Sequence, residues 1–103
     1  AKVDEHDRRA ELSEASRDQT WMQNGAAMIV FSGVKERAAP YGHHAAMFMA
    51  MEAGHASQNV CLEAFALGLG ASAIGSFDEK KVKAILKLKD GETPLYIMPV
   101  GRK

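Results

Sequence analysis

Between Ala38 and Phe77 the chain runs for forty residues without a lysine or arginine, and its only acids there are Glu52 and Glu63. Charged side chains line the water-facing side of most folds, so a stretch this poor in charge has to be covered by something. A chain of 103 residues has limited interior of its own in which to hide it. A partner surface is therefore expected.

The middle of that stretch reads as helix. From His44 to Leu67 there is no proline and much alanine, methionine and leucine. The pattern predicts a helix roughly 35 Å long at 1.5 Å per residue. It is apolar on almost every side, through Met47-Phe48-Met49-Ala50-Met51 and again through Cys61 to Leu67. A helix of that kind lies at the centre of a molecule or at a subunit interface. A membrane span is the rival reading, but Glu52, His55, Gln58, Asn59 and Glu63 interrupt it, and each would be costly in lipid.

The flanking segments are less distinctive. Residues 5–23 read as a helix with Leu12, Ala15, Gln19 and Met22 on one rough stripe, stopped by Asn24-Gly25. Residues 26–34 form a short apolar run suited to a buried strand, and residues 35–42, with Pro40 and Gly42, read as a loop. Gly68-Leu69-Gly70 ends the long helix. Residues 71–77 read as a short extended piece broken by Gly75. Asp78 is a good cap for an amphipathic helix running to about Leu88, with Val82, Ile85 and Leu86 inward. A turn over residues 89–92 leads into a last strand over 94–101. The order is helix, strand, long helix, short strand, helix, strand, which makes the fold class α+β with a long central helix and a small β-sheet.

Charge and cysteine content exclude several functions. Thirteen basic residues balance thirteen acidic ones, so nothing electrostatic points to nucleic acid or an anionic membrane. Cys61 is the sole cysteine, which rules out an intrachain disulfide and a Cys-rich zinc or iron–sulfur site. A reducing, cytoplasmic compartment fits best. The first residues are charged and lack the apolar core of a signal peptide.

Candidate chemistry is sparse at the level of single residues. Glu52 and His55 have the Glu-x-x-His spacing of di-iron bundle ligands, but no second copy accompanies them. The plainer expectation is that His55 and Asn59, one turn apart, satisfy each other or nearby backbone inside a packed interface. His43 and His44 could be a ligand pair, a proton donor at a substrate pocket or a helix start; they would point roughly 100° apart on a helix, which favours a partly exposed helix start over a shared metal. None of the six serines considered, at positions 13, 16, 32, 57, 72 and 76, sits in a G-x-S-x-G elbow. Cys61 reads as an inert thiol in apolar company and the methionines as packing. The glycines around Leu69, with Gly75, allow a tight turn and a close backbone approach to a flat ligand. Arg102 and Lys103 could meet a phosphate or form a solvated tail.

Taken in order, the blocks from Met51 to Gly70 (MEAGHASQNVCLEAFALGLG), then Ala-Ile-Gly-Ser-Phe-Asp78, then Pro-Leu-Tyr-Ile-Met-Pro-Val-Gly101, resemble the C-terminal half of nitroreductase-family proteins. The strongest likeness is to the SagB-type branch of flavin dehydrogenases. Counterparts of Asp7 to Trp21, of the AAMIVFSG strand and of Tyr41-Gly42 extend the resemblance over nearly the whole chain. It implies a nitroreductase-like α+β fold, with residues 1–103 as the C-terminal half of a single domain. It also implies an intertwined homodimer, with the long helix as a principal interface element and FMN bound between subunits. FMN would pass electrons from NAD(P)H to a small-molecule acceptor, so the protein positions the cofactor rather than doing the chemistry. By the same resemblance Ile74, Gly75 and Ser76 lie against the flavin ring, and Arg102, with Lys103, meets its phosphate. The arginine-rich start and Pro-Ser-x-Gly type loop of the family are absent, so either the chain is a fragment or processed piece, or another polypeptide supplies the first half. The alternative is a non-catalytic dimerisation module that has lost flavin binding.

Overall fold

The computed structural model describes residues 4–103. Helix α1 (Arg9–Ala15) and a 3-10 turn (Thr20–Asn24) precede strand β1 (Ala27–Val34). A short helix α2 (Lys35–Ala38) and a second 3-10 turn (Ala39–His44) lead into the long helix α3 (Ala45–Ala66). Strand β2 (Leu69–Ala71), helix α4 (Glu79–Leu86) and strand β3 (Glu92–Arg102) complete the described chain. The three strands form one antiparallel sheet in the order β1-β3-β2.

The last strand is thus the middle one, and both of its faces are covered. Successive residues of a strand point to opposite faces, and Ile97 and Met98 are each fully buried. Ile97 joins Leu12, Ala15, Met22, Ile74 and Val82 in a core between the sheet, α1 and α4. The side of Met98 is left to α3, which packs on all three strands. Contact there is close at Gly33, where an added Cβ would stand 2.8 Å from the sulfur of Met49.

Two prolines lie in this central strand, an unusual place because each removes a ladder donor. Pro94 sits where the β1–β3 register shifts between Phe31 and Ser32. Pro99 turns its carbonyl toward β2, accepting from the Ser72 N–H at 3.4 Å, so its missing N–H faces that side as well. The ladder with β2 accordingly stops at Ala71↔Val100 and resumes only as the single bridge Ile74↔Ile97. The extended piece expected over residues 71–77 is therefore three strand residues, 69–71, and one isolated bridge.

The helix expected over residues 5–23 is also shorter. The Ser16 hydroxyl donates back to the Leu12 carbonyl at 2.7 Å, and the Ser13 hydroxyl to the Gln19 carbonyl at 2.7 Å. Such bonds offer the backbone an exit from the helix, and Arg17 and Asp18 follow with φ of 59° and 52°. Residues 35–42, expected as a loop, wind into α2 and the 3-10 turn instead. The long helix, the Asp78 cap, α4 and the last strand fall where expected, within two residues at each end.

An arginine fastens α1 to the turn before β1. The Arg9 guanidinium donates to the Gly25 carbonyl at 2.8 Å and pairs with Asp7 at 2.8 Å. The hydrogen bonds from the Arg9 side chain and backbone hold the Asp7 carboxyl at about 2, below its ordinary 3.8.

Against this framework α3 is covered on one side only. Its buried residues are small: Ala53, Ser57 and Ala64. Met51, Leu62 and Phe65 remain 52%, 58% and 75% exposed, with Met47 and Phe48 exposed beside them. Among the described residues no helix is long and apolar enough to cross a membrane.

Candidate functional site

The segment between β2 and α4 is fixed at both ends and open in the middle. Ile74 is buried, its N–H donating to the Ile97 carbonyl at 2.8 Å while the Ile97 N–H donates back at 3.0 Å. Four residues on, the Asp78 N–H donates to the Ala15 carbonyl at 2.8 Å, and its carboxylate caps α4 by accepting from the Lys81 N–H at 3.2 Å. Between these anchors Gly75 and Ser76 are exposed, and among the described residues neither amide has a hydrogen-bond partner. Two amides held in place and left unpaired can donate to an acceptor atom on a ligand.

Gly75 is not demanded by the packing of the chain itself. A Cβ there would meet only the Tyr96 ring at 3.4 Å, an ordinary contact. Its effect is to leave a strip of backbone uncovered. The three residues assigned to the flavin ring thus divide: the Ile74 amide is already engaged in the bridge, whereas those of Gly75 and Ser76 are available.

Arg102 and Lys103 stand at the far end of β3, with Arg102 opposite Leu69. Both are exposed, and among the described residues Arg102 has no ion pair. The Lys103 ammonium lies 5.4 Å from the centre of the Phe65 ring, a cation–π contact that ties it to the C-terminal end of α3. Ile97, which anchors the open loop, is five residues before Arg102, so the two groups are separated by roughly 17 Å along the strand. The structure strings the five candidate residues along one strand and its neighbour; it does not gather them into one pocket.

A pocket does form elsewhere among the described residues. A cleft of about 330 Å³ opens between β1, α2 and α3, its lining including Gly33, Met49, Leu95, Arg37, Tyr41 and Glu52. Arg37 and Tyr41 reach this cleft because residues 35–42 are helical rather than the loop expected, and Pro40 near a helical start is the signal in the sequence for that. His43 and His44 are closer than helical spacing implies, with ring centres 3.9 Å apart in the 3-10 turn, and His44 stacks on Phe48. Both are exposed, as expected of a helix start. His55 and Asn59 make no hydrogen bond to each other; both point outward from α3, unburied, so the expected mutual satisfaction is not needed. Among the described residues no group of three or more His, Cys, Asp or Glu could hold a metal ion.

A family model described as the nitroreductase family matches residues 1–102. A nitroreductase-named protein of Methanocaldococcus jannaschii is 38% identical over 94 residues, which are 90% of this chain and 46% of that protein. Among solved structures, the NADPH:FMN oxidoreductase of Vibrio harveyi, complexed with NAD+, superposes with a TM-score of 0.81 at 25% identity. That match covers 92% of this chain and 45% of the Vibrio chain. A nitroreductase-named structure from Anabaena variabilis superposes with a TM-score of 0.84 at 32% identity, covering 94% of this chain and 20% of the other. The chain spans less than half the length of the relatives it matches.

Proposed function

The chain belongs to the nitroreductase family, and from that premise we propose that residues 1–103 are the C-terminal half of one FMN-dependent oxidoreductase domain. In this reading two copies of the chain, or the chain and a complementary N-terminal half, close over the exposed side of α3 in the cytoplasm. FMN bound there supplies the electron transfer from NAD(P)H to a small-molecule acceptor.

What the chain contributes is position and charge. The single observation that carries the reading is the pair of unpartnered amides at Gly75 and Ser76, held between the Ile74 bridge and the Asp78 cap. They donate toward the polar edge of the flavin ring, and the missing side chain of Gly75 lets a flat ring approach. Ile74 acts from behind by fixing the loop. Arg102 neutralises the phosphate, and Lys103 adds to it from the same end of β3. The ridge of Met51, Leu62 and Phe65 on α3 excludes water once it is covered.

The test is retention of flavin. Purified protein is expected to carry FMN, seen in the visible spectrum, and Arg102→Ala is expected to weaken FMN binding about tenfold or more. Colourless protein that takes up no FMN, even with a complementary half added, rules the reading out. One observation favours a second reading, a dimerisation module without flavin: the exposed ridge of α3 exists independently of the loop. In that case Arg102→Ala changes nothing, while the dimer persists.

A further inference from the structure

Five of the eight lysines of the protein fall between Lys80 and Lys89. At 100° per residue, Lys80 and Lys83 of α4 lie about 60° apart on one face, and Lys87 follows at its left-handed C-cap. That face is opposite Val82, Ile85 and Leu86, which face the core. Lys81 lies on a neighbouring side of α4 and Lys89 follows beyond its end, and among the described residues none of the five lysines enters an ion pair. Asp78 is committed to the helix cap, and Glu79 is the only acid within α4. Like charges at spacings of three and four residues repel along a helix face. An unbalanced ridge is therefore suited to an anion brought from outside.

The position of the ridge narrows the choice. Lys80 lies four residues after Ser76, so the lysines begin within roughly 14 Å of the open amides and extend about 10 Å beyond along α4. We propose that this ridge docks the pyrophosphate and 2′-phosphate of the reduced nicotinamide donor. The inference rests on the flavin reading of the Gly75–Ser76 loop. A donor whose nicotinamide ring lies on a flavin at that loop has to lay its phosphates over an adjoining surface, and α4 is the adjoining element with free positive charge. The 2′-phosphate adds to the attraction, so NADPH binds more tightly than NADH.

The experiment uses the oxidised dinucleotides NADP+ and NAD+, which carry the same phosphates and are not consumed. Titrated into isotope-labelled protein, NADP+ is expected to move the amides of residues 80–89 saturably, more tightly than NAD+. The effect should fade at molar salt. The triple variant Lys80→Gln, Lys83→Gln, Lys87→Gln is expected to lower NADP+ affinity about tenfold, and the matching triple arginine variant to restore it. FMN occupancy is read separately from the visible spectrum and is expected to be unchanged by the triple variant. Silent α4 amides in FMN-loaded protein overturn the ridge and leave the flavin reading standing. Saturable α4 shifts in protein that binds no FMN do the reverse. Equal shifts from sulfate at matched ionic strength reduce the ridge to a non-specific anion surface and overturn the proposal.

Discussion

At the scale of single residues, glycines at two positions do different things, and the difference can be measured. A Cβ at Gly101 would stand 2.9 Å from the Ala26 nitrogen and 3.2 Å from Gly25 Cα, both backbone atoms that cannot swing aside. Gly101→Ala is therefore expected to cost about 1–3 kcal/mol, read as a fall in the thermal midpoint. Gly75→Ala meets only a ring at ordinary contact distance and should stay within about 0.5 kcal/mol of the parent. If the two variants melt together, the close approach between the end of β3 and Gly25 is misjudged. Asp7 provides a pH test. Its folded-state value of about 2 lies below the ordinary 3.8, so its pairing with Arg9 contributes stability above that range. The contribution is lost as pH falls from about 4 through 2. A carboxyl titration followed by NMR should give a midpoint near 2. In Arg9→Gln that midpoint should return toward 3.8, and a parent midpoint already at 3.8 would discount the pairing. Neither effect was legible in the sequence, because Gly25 and Gly101 are brought together only by the strand register, and Asp7–Arg9 reads simply as two charges.

At the scale of elements, α3 shows how far periodicity reaches. Its length and apolar character follow from the residues between His44 and Leu67, since a proline-free run rich in alanine, methionine and leucine has no better local option. Which side is covered does not follow, because apolar residues point in almost every direction. The fold settles it: the small residues Ala53, Ser57 and Ala64 go inward, and the large ones stay out. Replacing Leu62 and Phe65 together by Glu is expected to leave the fold of one copy intact, since they are 58% and 75% exposed. Sedimentation should then shift from dimer to monomer. A parent protein that sediments only as monomer, with or without added FMN, would count against a dimer built on this ridge. The misplaced boundaries have local causes of the same kind. The hydroxyls of Ser13 and Ser16 end α1 early, and Pro99 interrupts the ladder to β2, effects that depend on where a side chain or a missing donor points.

At the scale of the whole molecule, one side of the sheet is closed and the other is half closed. The core around Ile97 packs α1 and α4 on the sheet, while the outer side of α3 and the cleft beside α2 are open. If a second copy covers the ridge, folding and association are linked by mass action. The thermal midpoint should then rise with protein concentration over a hundredfold range, and a flat midpoint would mean that one copy folds without the other. The chain spans 46% of its Methanocaldococcus relative and 45% of the Vibrio structure, so on the proposed reading the activity of the site is measured with a complementary half present.

The sequence by itself determined the α+β class, the order and types of the main elements, the Asp78 cap and the family, because each of these depends on local propensity or on an ordered succession of motifs. It also marked the charge-poor stretch from Ala38 to Phe77 as needing cover. Only the tertiary structure decided that the last strand becomes the central one and that the Ile74 amide is engaged while those of Gly75 and Ser76 have no partner among the described residues. Only it placed Arg102 roughly 17 Å along the strand from that loop. Those outcomes depend on which distant segments share hydrogen bonds, and the donors and acceptors of a backbone are the same for every residue but proline. The charge-poor stretch is covered on one face by the sheet, and its other face, from Met47 to Phe65, is still turned to water.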